Sequence, residues 1–163
     1  MISSPSLPQS LLSKTLDTKL ISVNADITSA KKLLEKMAHL LTTALGDEAR
    51  EKDIYHQLLE REKLGNTGIG NGVAVPHSRC GQAKTAIVAI ISLNKPIDFD
   101  SNDKQDVDLA FGLLVPKEAS QEHLNLLADI ARLMSDPTKK NHLSAAKTPS
   151  DIIELIGSWP NSN

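Results

Sequence analysis

From Thr28 onward, apolar side chains recur at helical spacing, with Leu33, Leu34, Met37, Leu40, Leu41 and Ala44 on one face. A hydroxyl start and Gly46 as a stop complete the signature of an amphipathic helix. His39 lies inside it and reads as a packing or surface residue. A second helix is predicted in "EAREKDIYHQLLEREKLG", with Ile54, Leu58 and Leu59 as its inner stripe, His56 pointing outward and Gly65 closing it.

The pattern then changes period. "GVAVPH", "KTAIVAIIS" and "VDLAFGLLVP" are short apolar runs, rich in Val and Ile or ended by Pro, and read as strands, the latter two buried on both faces. Between those two, "LNKPIDFDSNDKQ" is polar and turn-rich, a connection with a short edge piece at Ile97 to Phe99. A strongly periodic helix is predicted from Ser120, its N-cap, with Leu124, Leu127, Ile130, Ala131 and Met134 on one face and Pro137 beyond its end. A last helix opens in "TPSDIIELIG", where Thr148 suits the N-cap, Pro149 the first helical position and Asp151 the capping-box position. Two helices, then strands, then two or three helices imply an α/β or α+β chain in three layers, with helices covering both faces of a central sheet.

Composition narrows this picture. At 163 residues the chain reads as one domain over 1–163, its core running from about Leu11 to Gly157 between loose ends "MISSPSLPQS" and "SWPNSN". Apolar residues make up 40% and aromatics only 2%, so the core must be aliphatic. A net charge of −2 provides no concentrated basic face for nucleic acid, and the doublets Lys31-Lys32 and Lys139-Lys140 read as solvated helix edges. No apolar run approaches a membrane span and no cationic, apolar leader opens the chain, so a cytoplasmic location without membrane insertion is expected. Cys80 is the sole cysteine, which rules out an internal disulfide; with no base beside it, it reads as an incidental thiol.

The densest chemistry lies in "TGIGNGVAVPHSR". Gly68, Gly70 and Gly72 suggest a nucleotide loop, but a helix precedes them and an apolar strand follows, the reverse of a dinucleotide fingerprint, and no Gly-Lys-Ser/Thr is present. They say only that the backbone turns sharply or approaches something closely. Pro76 keeps Val75 extended, so the strand delivers His77 at the rim of the sheet. His123 comes three residues after Ser120, in the first turn of its helix, a position that favours an anion. Arg61, near the end of the second helix, could bring a fixed cationic fork to the same place, its alternative being a surface partner of Glu60 or Glu62. A neutral histidine is a competent nucleophile toward activated phosphorus, provided charge is supplied for the equatorial oxygens.

The run "REKLGNTGIGNGVAVPH", followed by "VDLAFGLLVP" and "HLNLLADIARLMSD", resembles the IIA component of the fructose/mannitol class of the bacterial sugar phosphotransferase system, most of all its nitrogen-regulatory branch, over nearly the whole domain. The resemblance implies a central mixed β-sheet flanked by helices on both faces. It implies a phosphoryl carrier without cofactor or metal, in which His77 is phosphorylated by a histidine-phosphorylated HPr-like (NPr) carrier, with His123 beside it and Arg61 assisting transfer. It further implies regulatory partners such as potassium transport systems and sensor kinases. The residue after the active histidine is often Gly followed by Lys; here Ser78 and Arg79 stand there, which keeps the charge and leaves the loop geometry open. Two other readings stand beside this one. A metal-dependent hydrolase could use paired histidines and the acids of "DFDSNDKQDVD", but ligand spacings such as HExxH are absent and those acids read better as a solvated loop. A phosphorylation-independent interaction module on the same fold would have no chemical need for His77, Arg61 and His123 together.

Overall fold

The computed structural model describes residues 11–118 and 121–160, the side chains of Glu122 and His123 excepted. The predicted N-cap Ser120 and most of both terminal segments therefore lie outside the described residues. A short helix α1 (Leu11–Thr15) is followed by strand β1 (Ile21–Ala25), helices α2 (Ala30–Leu45) and α3 (Glu51–Leu64), and strands β2 (Gly68–Gly70), β3 (Val73–Ala74), β4 (His77–Cys80), β5 (Ile87–Ile97) and β6 (Val107–Pro116). Helices α4 (Gln121–Met134), α5 (Pro137–Ala145) and α6 (Pro149–Ser158) complete the chain. No helix among the described residues is long and apolar enough to cross a membrane.

The sheet is mixed, in the order β1-β5-β6-β3-β2, with β4 also pairing β6. β5 and β6 run antiparallel at its centre, β1 lies parallel to β5, and both β3 and β4 lie parallel to β6. Side chains alternate across β6, as the period of two requires. Leu109, Phe111 and Leu113 enter a core shared with Leu12, Leu126, Ile130, Met134, Leu143, Ile152 and Ile156, while Ala110 and Leu114 face Leu33, Leu34, Met37, Leu41, Ile54 and Leu58. Helices thus cover both faces, as expected. The face under α2 is made of small residues, Ala74, Ala89 and Ala110, and Gly112 sits so close to Met37 that an added Cβ would lie 2.1 Å from its Sδ. Small side chains there let the helix settle onto the strands at native packing density.

Several predicted boundaries hold for the reasons given. The hydroxyl start expected from Thr28 onward is Ser29, whose side chain accepts from Lys32 N, and Gly46 ends α2 in the left-handed region at φ 73°; the Thr148 hydroxyl accepts from Asp151 N at the start of α6, with Pro149 at the first helical position. Other expectations are corrected. β1 carried no strong apolar signal: it holds Ser22 and Asn24, and Asn24 adopts φ 55° with its N–H donating to the buried Ser92 hydroxyl at 2.9 Å, so the ladder shifts register there. The edge piece expected at 97–99 is instead the end of β5, with Ile97 opposite Val107. Pro137 opens α5 rather than merely following α4, because Asp136 caps the new helix through Thr138 N and Lys139 N. The apolar stripe of α4 is rotated from the predicted one. Leu126, Ile130, Leu133 and Met134 are buried, Leu127 packs partly against the same core, and Leu124 and Ala131 are exposed.

Lys140 departs furthest from expectation. It is buried rather than solvated, with Nζ 2.6 Å from Asp108 Oδ1. Asp108 was read as part of a solvated acidic loop; it is the second residue of β6, half-buried against α5. A charge removed from water needs a partner, and each of these two supplies the other's.

Candidate functional site

The glycine cluster is a β-hairpin. Asn71 (φ 56°) and Gly72 (φ 77°) form the two-residue loop between β2 and β3, with Gly70 opposite Val73. Two consecutive positive φ angles are what a type I′ turn requires, and Asn-Gly is its preferred sequence. That dipeptide was the signal through which the hairpin could have been found. Asn71 also donates from Nδ2 to the carbonyl of Met134 at 3.0 Å, tying the hairpin to the end of α4. Gly68 has a different reason to be glycine: a Cβ there would lie 2.7 Å from both Asn66 Oδ1 and Ser101 Oγ.

After the hairpin the chain follows β6 in two pieces. Val73 and Ala74 pair with Leu109 and Ala110, and His77 to Cys80 pair with Leu113 to Pro116. Between them the Val75 N–H donates to Thr67 O at 2.9 Å, extending the hairpin pairing of β3 with β2, and Pro76, which has no N–H, accepts from Leu113 N at 3.0 Å, keeping the chain on β6. "GVAVPH" thus keeps one register along β6 and does not end at the histidine. His77 opens the second piece, β4, at the register of Leu113.

His77 is half-buried, with Nδ1 2.7 Å from the carbonyl of Val75. A carbonyl only accepts, so Nδ1 carries the proton and Nε2 keeps its lone pair. Burial pushes the pKa of His77 below the ordinary 6.5; the bond to Val75 O works against this, and the positive charge of Arg61 adds to the lowering. Burial thus favours the neutral ring, in which Nε2 is the unprotonated nitrogen.

Arg61 lies in the last turn of α3, half-buried, and donates from Nη1 to Gly65 O at 2.7 Å. That bond ties it to the loop after α3, and its charge also acts on Glu62, one of the two partners expected for it. Arg61 lies near enough to His77 for its charge to contribute to the lowered pKa of the imidazole. His123 is the third residue of α4, and its side chain lies outside the described residues. Ser78 is the second residue of β4, opposite Leu114, with Oγ donating to Gln57 Oε1 at 3.3 Å; the backbone after His77 is ordinary strand rather than an altered loop. Cys80 is buried, its Sγ 3.5 Å from Gln82 Oε1.

Residues missed in the sequence surround this core. Glu62, beside Arg61, accepts from the Thr67 hydroxyl through Oε1 and from Thr67 N through Oε2 at 3.2 Å. Burial raises its pKa above the ordinary 4.5, while the two bonds from Thr67 and the charge of Arg61 pull the other way. Asn66 donates to Phe99 O at 2.8 Å and accepts from Gly68 N at 2.8 Å, fastening the loop to the end of the β5 segment. Among the described residues no three His, Cys, Asp or Glu side chains are gathered as a metal ion would need. The arrangement offers one unprotonated imidazole nitrogen on an edge strand with a guanidinium nearby, a set suited to receiving a group of high negative charge.

Residues 14–159 match the model of the family described as phosphoenolpyruvate-dependent sugar phosphotransferase system, EIIA 2. The chain is 40% identical over 134 residues to a nitrogen regulatory protein of Pseudomonas aeruginosa, covering 82% of this chain and 86% of that one. It is 35% identical over 146 residues to a nitrogen regulatory protein of Klebsiella oxytoca, 89% of each being covered. The crystal structure of the nitrogen regulatory protein IIA-Ntr from Neisseria meningitidis superposes with a TM-score of 0.83 at 33% identity, over 90% of this chain and 99% of that one.

Proposed function

Because the chain belongs to the EIIA 2 family of the phosphoenolpyruvate-dependent sugar phosphotransferase system and is similar throughout to its nitrogen regulatory proteins, we propose that it is a phosphoryl carrier and regulator that works through His77. The Nε2 lone pair of His77 attacks the phosphorus of a phosphohistidine on a small HPr-like (NPr) carrier protein. The donor's N–P bond breaks and its electron pair returns to the donor ring, while the proton on His77 Nδ1 stays in its bond to Val75. Arg61 offsets charge on the transferred group, and His123 contributes from the first turn of α4, where the helix dipole also favours an anion.

The observation that carries this reading is the 2.7 Å contact from His77 Nδ1 to Val75 O, which leaves Nε2 as the free nucleophilic nitrogen. Phosphorylation adds roughly −1.5 to −2 charges, enough for a protein partner to distinguish the two states. Partners of that kind include potassium transport systems and sensor kinases, which makes the site a cytoplasmic regulator rather than a transport step. The test is intact mass after incubation with phosphoenolpyruvate, the general phosphotransferase enzyme and a histidine-phosphorylated carrier, beside His77→Ala. One acid-labile phosphoryl group on the parent and none on the variant is the expected result. An unchanged parent mass with an active donor, repeated with a second carrier, would make the chain a phosphorylation-independent interaction module.

A further inference from the structure

We propose that Glu62 is a positioning residue for His77, acting through Thr67 and Val75 to set the tautomer and orientation of the imidazole. The contacts form an unbroken series. The Glu62 carboxylate receives both the hydroxyl and the backbone N–H of Thr67. The carbonyl of Thr67 receives Val75 N at 2.9 Å, and the carbonyl of Val75 receives His77 Nδ1 at 2.7 Å. Each link holds the residue whose carbonyl makes the next one.

The location of Glu62 calls for such a role. It lies in the last turn of α3, where the helix dipole disfavours an acid, and burial adds to the cost of its charge. A neutral or cationic side chain would suit that turn better on local grounds. What the carboxylate provides is two acceptor oxygens for one residue, so Thr67 is gripped by its side chain and its backbone together. Arg61, its neighbour, holds Gly65 O in the same loop. The Arg-Glu pair therefore anchors residues 65 and 67 from one helix end, and Thr67 is the only one of these that reaches the segment carrying His77. Val75 lies between β6 on one side and the β2 end of the hairpin on the other, and its N–H faces the latter, where Thr67 O is the partner that holds it. If Thr67 shifts, the Val75 carbonyl turns, and the ring is released toward the Nε2–H tautomer, which has no lone pair on the attacking nitrogen.

This inference rests on His77 as the phosphoryl acceptor, but its decisive readout does not. In protein labelled with ¹⁵N-histidine, the His77 ring is assigned by its loss in His77→Ala, and its nitrogen shifts give the tautomer directly. The parent is expected to hold Nδ1–H. Glu62→Ala and Thr67→Val should each lower the Nδ1–H share and slow phosphoryl acceptance on the order of tenfold to a hundredfold, as small misplacements of reacting groups do. The double variant should be no worse than the poorer single one, since both cut the same series. Glu62→Gln, which keeps an acceptor for Thr67, should stay near the parent tautomer, and it carries the test with Thr67→Val should Glu62→Ala not fold. Parent-like His77 nitrogen shifts in folded Thr67→Val, or in folded Glu62→Ala, would overturn the proposal, whatever the rate. A parent that holds Nδ1–H and loses it in the variants, yet never accepts a phosphoryl group, would sustain the positioning role and sink the carrier function instead.

Discussion

Gly68→Ala tests the loop beneath His77 more sharply than any removal of a side chain. The new methyl carbon would sit 2.7 Å from Asn66 Oδ1, 2.7 Å from Ser101 Oγ and 3.1 Å from Ser101 Cβ. Ser101 is buried and its short side chain has little room to retreat, so Asn66 must give way by several tenths of an ångström. That amide makes two bonds at 2.8 Å, accepting from Gly68 N and donating to Phe99 O, and the displacement weakens both. At about 1 kcal/mol net for each, less the roughly 0.4–1 kcal/mol that alanine gains by restricting the unfolded chain, the variant should lose about 1–1.6 kcal/mol. For a chain of this size that lowers the melting temperature by roughly 2–6 °C. Urea unfolding and calorimetry would measure it, with Gly81→Ala as the control, because nothing lies within 4 Å of a Cβ there. Gly81→Ala should be neutral or slightly stabilising. If Gly68→Ala melted with its control, the packing argument for the loop would be wrong.

Two further outcomes follow from the buried ionisable groups. Lys140→Met leaves Asp108 half-buried and without its 2.6 Å partner and should cost about 2–4 kcal/mol in urea unfolding, most of it recovered in Lys140→Met/Asp108→Leu, since an apolar pair can replace a buried ion pair; a single variant as stable as the parent would refute the assigned burial. The lowered pKa of His77 means that the unfolded chain binds its proton first on acidification. Its contribution to stability is therefore complete above pH 6.5 and declines as pH falls from 6.5 toward the folded pKa. Glu62, raised above 4.5, works in the opposite sense, its penalty lifting as pH falls through its folded pKa toward 4.5. In stability measured against pH, His77→Ala should remove the first slope and leave the second; an unaltered profile would mean that the imidazole is not held neutral by its surroundings.

What the chain determined by itself is whatever depends on local period and local chemistry. The apolar spacing of α2 and α3, the continuous runs of β5 and β6, the caps at Ser29 and Thr148, and a histidine directly behind a proline were legible because each is decided within a few residues. Arg61 and His77 stand out in the sequence by their chemistry, and the family blocks around them are what link the two. The tertiary structure decided what depends on who lies opposite. Lys140 looks solvated in a helix as polar as α5 until Asp108 of β6 comes to face it. The buried face of α4 rotates away from Leu124 because the sheet meets Leu126, Ile130 and Leu133 instead. β1 is a strand only because β5 supplies its ladder and Ser92 satisfies Asn24. Glu62 was legible only as a surface partner for Arg61, because its bonds to Thr67, and the bond from Thr67 to Val75 across the hairpin, exist only in the assembled fold. Local sequence sets which conformations are cheap, and long-range pairing selects among them, so a side chain whose partner lies on another element declares its role only in the assembled fold.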